Sequence, residues 1–213
     1  MADLFQEIDD ELRQDKASRL WRVYGKYVVA AAIVIIISVG GYKFWQQKQL
    51  DDGEKASIAY ETALARSASG DYKGAIDQLN EEEIGTVAGY AALSQMQKAN
   101  LAMKINDFEA ALLTFKEIAE HDTYPQSVKE WASFRYVAVR VEKQIDSNAS
   151  ADLDSLIATD SPWRFLAKEI KAIKEIETGN KSAAKTIFSE LADDENAPER
   201  LRLRAAEFLK ILQ

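Results

Sequence analysis

Between Tyr27 and Tyr42 the chain reads YVVAAAIVIIISVGGY, a run of apolar or small residues with no charge in it. Downstream, apolar residues recur at three- and four-residue intervals, the spacing of helices that bury one face. Upstream, Leu4, Phe5, Ile8 and Leu12 fall on one helical face among acids. That short amphipathic stretch reads either as a helix resting near a membrane or as a docking helix for a partner.

The apolar run lies near the lower length limit for spanning a bilayer. With Lys43 snorkelling, Phe44 and Trp45 extend it to residues 27–45, roughly 28 Å of helix. Trp21, Tyr24 and Tyr27 flank one end and Tyr42, Phe44 and Trp45 the other. Amphipathic rings favour the headgroup level, so this double belt predicts a spanning segment. The competing reading is a buried core helix, but such helices are seldom apolar on every face. A cleaved signal peptide needs small residues after the run, whereas Tyr42-Lys43-Phe44-Trp45 follows. Arg13, Lys16, Arg19, Arg22 and Lys26 outnumber Lys43, Lys48 and Lys55 near the two ends. That bias predicts a cytoplasmic N-terminus. The expected organisation is a cytosolic segment 1–26, a signal anchor 27–45 and an exported domain 46–213.

The exported part repeats. Gly70-Asp71-Tyr72-Lys73-Gly74-Ala75, Asn106-Asp107-Phe108-Glu109-Ala110-Ala111 and Gly179-Asn180-Lys181-Ser182-Ala183-Ala184 start 36 and then 73 residues apart, one period and two. A degenerate copy is expected near residue 143, at Gln144-Ile145-Asp146-Ser147-Asn148 followed by Ala151, Leu153 and Leu156. Small residues Ala63, Ala99 and Ala172 precede Ala75, Ala111 and Ala184, and each of these is followed by a bulky Leu79, Phe115 or Phe188. Two antiparallel helices approach closely only where small side chains face each other and a large one fills the gap below. The three prolines, Pro125, Pro162 and Pro198, carry the same period and mark first turns of helices.

Each unit therefore reads as helix A, a tight turn, helix B and a connection. Helix A is expected at 54–68, 87–104, 126–143 and 162–177, and helix B at 71–82, 107–120, 150–158 and 180–193. A last helix at 198–212 has Leu201, Ala205, Phe208, Leu209 and Leu212 on its packed face. Arg200, Arg204, Glu207 and Lys210 lie on its solvated face, as a solenoid cap requires. Abundant Ala, Leu, Glu and Lys support helix throughout.

The small-residue, turn and bulky-residue pattern resembles tetratricopeptide repeats, with a period nearer 36 than 34 and without the usual Trp and Tyr of helix A. The fold class is thus all-α: a single transmembrane helix followed by a TPR-like α-solenoid of helix hairpins. The whole layout resembles the YfgM-type family of ancillary SecYEG translocon subunits. That resemblance implies a bacterial inner-membrane, single-pass protein with its domain in the periplasm. Its implied partners are SecYEG, a PpiD-like membrane-anchored chaperone and exported client proteins.

Net charge of −8 argues against nucleic acid, whose phosphates need clustered Lys and Arg. The chain lacks cysteine, which excludes disulfides, thiolate metal sites and thiol catalysis. His121, the only histidine, forms neither a multi-His metal site nor a His–His dyad, and reads as a helix C-terminal residue facing carbonyls. Glu81-Glu82-Glu83 and Asp193-Asp194-Glu195 read as solvated helix ends, since neither has the glycine and alternation of a calcium loop. Asn148-Ala149-Ser150 matches a glycosylation sequon and reads as coincidence. No phosphate-binding loop, nucleophile elbow or dinucleotide fingerprint occurs, so neither catalysis nor a cofactor is expected. The expected function is a non-enzymatic scaffold that helps hand exported proteins to chaperones. A scaffold in another envelope pathway, at the outer membrane or cell wall, has the same repeats. Candidate peptide- or partner-binding residues, all on A helices, are Tyr60, Tyr90, Gln97, Arg135 and Lys168.

Overall fold

The computed structural model describes the backbone of residues 2–212 and the side chains of residues 21–212. The Leu4–Leu12 face therefore lies outside the described side chains. Among the described residues ten α-helices run in order: α1 Ala2–Ala68, α2 Tyr72–Gln78, α3 Glu82–Gly85, α4 Ala88–Lys104, α5 Phe108–Glu120, α6 Gln126–Glu142, α7 Ala149–Ile157, α8 Arg164–Glu177, α9 Lys181–Asp193 and α10 Glu199–Ile211. There is no strand among the described residues. The chain divides into two compact units, one ending at Glu54 and one beginning at Lys55.

Among the described residues nothing covers the apolar run of the first unit. Ile36 is 70% exposed and Ile37 67%, and Val28, Val34 and Val39 are exposed as well. A core helix would bury these side chains, so the core-helix reading is overturned. One helix is long and apolar enough to cross a membrane among the described residues, and it contains this run.

In the second unit the A and B helices alternate as antiparallel hairpins. The first A helix is the end of α1, which continues unbroken to Ala68. The small and bulky positions read from the repeat all lie in the core: Ala63, Ala75, Leu79, Ala99, Ala111, Phe115, Ala172, Ala184 and Phe188 are each buried. Each hairpin core is completed by a helix of the next unit. Leu101 of α4 packs with Ala63, Ala75 and Leu79. Val139 of α6 joins Ala99, Ala111 and Phe115. Ala167 of α8 joins Ala149 and Leu153, and Leu201 and Ala205 of α10 join Ala172, Ala184 and Phe188.

The hairpin turns share one backbone device. Gly70, Asn106, Gln144 and Gly179 all have positive φ, at 88°, 62°, 52° and 85°. The residue after each donates its N–H back into the A helix: Asp71 to Arg66 O, Asp107 to Ala102 O, Ile145 to Arg140 O and Asn180 to Glu175 O. This is the left-handed C-terminal cap that satisfies otherwise unpaired carbonyls. Asp71 and Asp107 then cap the next helix by accepting from Gly74 N and Ala110 N. The aromatics of the first two motifs link repeats. Lys104 Nζ lies 5.2 Å from the Tyr72 ring centre, and Lys143 Nζ lies 4.8 Å from that of Phe108.

The left-handed residues fix the register of the third unit. Counting from Gln144 as from Gly70, Asn106 and Gly179, the small and bulky B positions are Ala149 and Leu153, and both are buried. The expected Ala151 is exposed. Here α7 begins at Ala149, later after its turn than its counterparts do, and Asp146 rather than the residue after the turn receives the free amides of Asn148 and Ala149. Because Gln144 holds a conformation that costs an L-residue about 1 kcal/mol, Gln144→Gly is expected to stabilise the domain by about 0.5–1 kcal/mol. A rise in urea midpoint at unchanged slope checks this, and a fall refutes the assignment.

Other expectations are corrected. The helix expected over 71–82 breaks into α2 and α3, because Glu81 is extended and places Glu82 and Glu83 in the first turn of α3. Carboxylates are favoured at that end of a helix and disfavoured at the end of α2. Pro125 and Pro198 occupy N-cap positions with extended ψ, and Pro162 precedes the N-cap Trp163, so none stands inside a first turn. Arg204 is not a free solvated residue but is paired with the buried Glu169 of α8, whereas Leu203 and Ile211 are exposed on α10.

Candidate partner-binding surface

Among the proposed residues the fold brings Tyr60 and Tyr90 together. Their ring centres are 5.8 Å apart at 56°, joining the end of α1 to α4 beside the Ala59–Leu101 cluster. Burial, and then the neighbouring Tyr90 phenol, push the Tyr60 hydroxyl above its usual value. The pair presents an aromatic edge with polar tips, the kind of anchor common in binding surfaces.

The other residues occupy separate places. Gln97 is half-buried on α4. Arg135 on α6 lays its guanidinium 5.4 Å from the Phe115 ring centre, and Phe115 in turn meets Trp131 edge-on at 5.5 Å. The Arg135 Nε is buried without a hydrogen-bond partner. Lys168 on α8 lies 4.0 Å from Glu190, the outer limit of an ion pair. The five residues do not converge on one pocket, so as a set they describe a run of A-helix positions.

His121 is held by its own loop. Its ring stacks on Tyr124 at 3.8 Å and its Nδ1 lies 3.2 Å from Thr123 Oγ1, within its own loop. Among the described residues no group of His, Asp and Glu is arranged to hold a metal ion.

A cluster at the third turn was not legible in the sequence. Arg140, buried on α6, donates through Nε and one terminal nitrogen to Asp146, at 2.8 and 2.7 Å, and through the other to Asp152 at 2.5 Å. The Asp146 hydrogen bonds hold the guanidinium charged against the cost of burial, and the Arg140 hydrogen bonds hold the Asp146 carboxyl below its ordinary value. The signal in the sequence was Gln144 where the other turns have Gly or Asn. The clamp replaces that turn chemistry. Its role is structural.

Three open clefts mark the surface of the repeat unit. One of about 540 Å³ lies against Gln95, Glu117 and the His121–Tyr124 loop. Another of about 410 Å³ lies against Glu81, Glu82, Ile84 and Gln95. A third, of about 530 Å³, adjoins the Arg140 clamp and Lys174.

A family model described as tetratricopeptide repeat-like domain matches residues 18–207. The chain is 25% identical over 184 residues to a protein of Escherichia coli strain K12 named "Ancillary SecYEG translocon subunit", covering 84% of this chain and 86% of that one. Proteins of the same name from Aggregatibacter actinomycetemcomitans and Haemophilus influenzae are each 25% identical. They cover 91% and 86% of this chain and 93% and 88% of their own. These names agree with the resemblance drawn from the repeat motifs. No solved structure matches the chain.

Proposed function

The chain belongs to the tetratricopeptide repeat-like domain family, and from that premise we propose that it is a non-catalytic adaptor, anchored in the bacterial inner membrane and attached to the Sec translocon. One observation carries the reading: similarity to ancillary SecYEG translocon subunits extends over 84–91% of this chain and is not confined to the repeats. In this reading the N-terminus faces the cytoplasm and the repeat unit faces the periplasm. There it receives exported proteins and passes them to a membrane-anchored chaperone of the PpiD type.

The physical basis is tethering. A membrane anchor raises the effective concentration of the repeat surface near other membrane proteins, so modest affinities suffice. The half-buried Tyr60 and Tyr90, with Gln97, Arg135 and Lys168, are the contact positions proposed for client or chaperone. Stacked hairpins offer such a face because their cores are filled by Ala, Leu and Phe, which leaves the outward positions free of packing duty.

The test is purification of the tagged full chain from detergent-solubilised membranes, with photocrosslinkers at Tyr90 and Arg135. Co-purification of SecYEG, and crosslinks to a membrane-anchored chaperone or to exported chains, are expected. Recovery of outer-membrane or cell-wall assembly proteins, with SecYEG absent, overturns the proposal.

A further inference from the structure

The charges around the apolar run are unevenly spread. From Lys16 to Leu50 the chain carries no acid, and its bases there divide unequally: Lys16, Arg19, Arg22 and Lys26 precede the run, while only Lys43 and Lys48 follow it. Lys48 has Asp51 and Asp52 within one helical turn, whereas no acid lies within four residues of Arg22 or Lys26. Both of these side chains are exposed on α1 and make no ion pair among the described residues. Intervals of three and four residues bring positions 19, 22 and 26 to one side of the helix. Like charges at that spacing repel, and an anion placed between them removes the repulsion.

The aromatic residues set the depth of these cations. Trp21 lies over Gly25, where a Cβ would stand 3.2 Å from the indole Cδ2 and Cε2, so the missing side chain lets the ring lie close against the helix. Lys26 Nζ lies 5.1 Å from the Tyr27 ring centre. Indole and phenol rings favour the headgroup level. Lys26 adjoins the first residue of the run, and Arg22 stands one turn further out, about 6 Å along the axis. The headgroup layer on each side of the hydrocarbon is about 5–8 Å deep. Both cations therefore stand at the level of the lipid phosphates. At the other end of the run that layer receives Lys43 with the uncharged Gln46 and Gln47.

We propose that the Arg22–Lys26 turn of α1 is a binding site for the phosphodiester of an anionic phospholipid, in whichever leaflet the N-terminal end of the apolar run occupies. Lipid phosphates are the anions that the run itself brings to this turn, and basic side chains beside a spanning helix attract them. The site goes beyond setting orientation, because it selects which lipids surround one end of the helix. It rests on the membrane-anchor reading, but on neither the direction of insertion nor the translocon.

The experiment reconstitutes the full chain in phosphatidylcholine vesicles. The chain has no cysteine of its own, so Ala30→Cys or Val39→Cys carries a single small fluorophore near one end of the run or the other. Quenching by dibrominated phosphatidylglycerol is compared with quenching by dibrominated phosphatidylcholine at equal mole fraction. The anionic lipid is expected to be enriched about fivefold beside position 30, and less than about twofold beside position 39. Arg22→Gln with Lys26→Gln is expected to bring the enrichment at position 30 below about twofold, whereas Lys43→Gln with Lys48→Gln leaves it unchanged. Resistance of each variant to alkaline extraction confirms insertion. Inserted chains without enrichment at position 30 overturn the proposal and leave the anchor reading standing. Equal enrichment at both positions, or equal loss with the Lys43 and Lys48 variant, reduces the effect to general cationic attraction and also overturns it. Extraction of the unsubstituted chain at alkaline pH overturns the anchor reading and the proposal with it.

Discussion

Alanine at Phe115 is expected to destabilise the repeat unit by about 3–5 kcal/mol, lowering its apparent Tm by roughly 10 °C or more. Phe115 is fully buried at the bulky position of the second hairpin. It packs with Ala99, Ala111 and Val139, so truncation opens a hole between two hairpins that none of these short side chains reaches across. Trp131, edge-on to the Phe115 ring, supplies the local reporter: its fluorescence should shift before the helical signal is lost. A loss below about 1 kcal/mol would refute the packing described. The comparison with Arg135→Ala matters for function. Removing a guanidinium from the face of Phe115 should cost only about 1 kcal/mol. A large loss of partner binding in that variant therefore reports contact rather than unfolding.

The second large effect is expected at Arg204. Its guanidinium donates to both carboxylate oxygens of Glu169, whose side chain is 7% exposed. Arg204→Ala leaves that carboxylate buried without its cation, at an expected cost of about 2–4 kcal/mol, less than for a fully buried pair because Arg204 is half exposed. Replacing both residues by methionine removes the charge with its partner and should be milder than Arg204→Ala alone. Urea unfolding of the wild type, both single variants and the double variant gives the coupling directly. An Arg204→Ala protein within about 0.5 kcal/mol of wild type would show that the pair does not close α10 onto α8.

Much of this fold was legible because the repeat restates its own rules. Ala63–Ala75–Leu79, Ala99–Ala111–Phe115 and Ala172–Ala184–Phe188 give the crossing point of three hairpins three times over, and all nine side chains are buried. In the third hairpin the turn at Gln144 and the bulky Leu153 were read correctly and only the small position was misread by two residues, Ala151 for Ala149, because the turn acid has moved to Asp146 and delays the start of α7. A left-handed glutamine leaves no mark in a composition pattern. It is held there by backbone bonds and by Arg140, which reaches across the turn to two aspartates. Long side chains were the general difficulty. Arg204 looks solvent-facing from the helical wheel of its own segment, and only the approach of α8 brings Glu169 to it. For the candidate surface, helix periodicity selected A-helix positions but could not show that Tyr60 meets Tyr90 while Arg135 is held by Phe115.

The closing of each hairpin by the helix that follows also limits how such a protein can change in length. Leu101, Val139 and Ala167 are lent forward-to-back along the array, and Leu201 and Ala205 are the final instance. A duplicated hairpin inserted before α10 inherits a donor on one side and supplies one on the other. The same hairpin appended after α10 leaves the terminal helix between two neighbours while its own last pair stays open. A hairpin duplicated within this array thus keeps both of its neighbours, and α10 closes the last described pair as before.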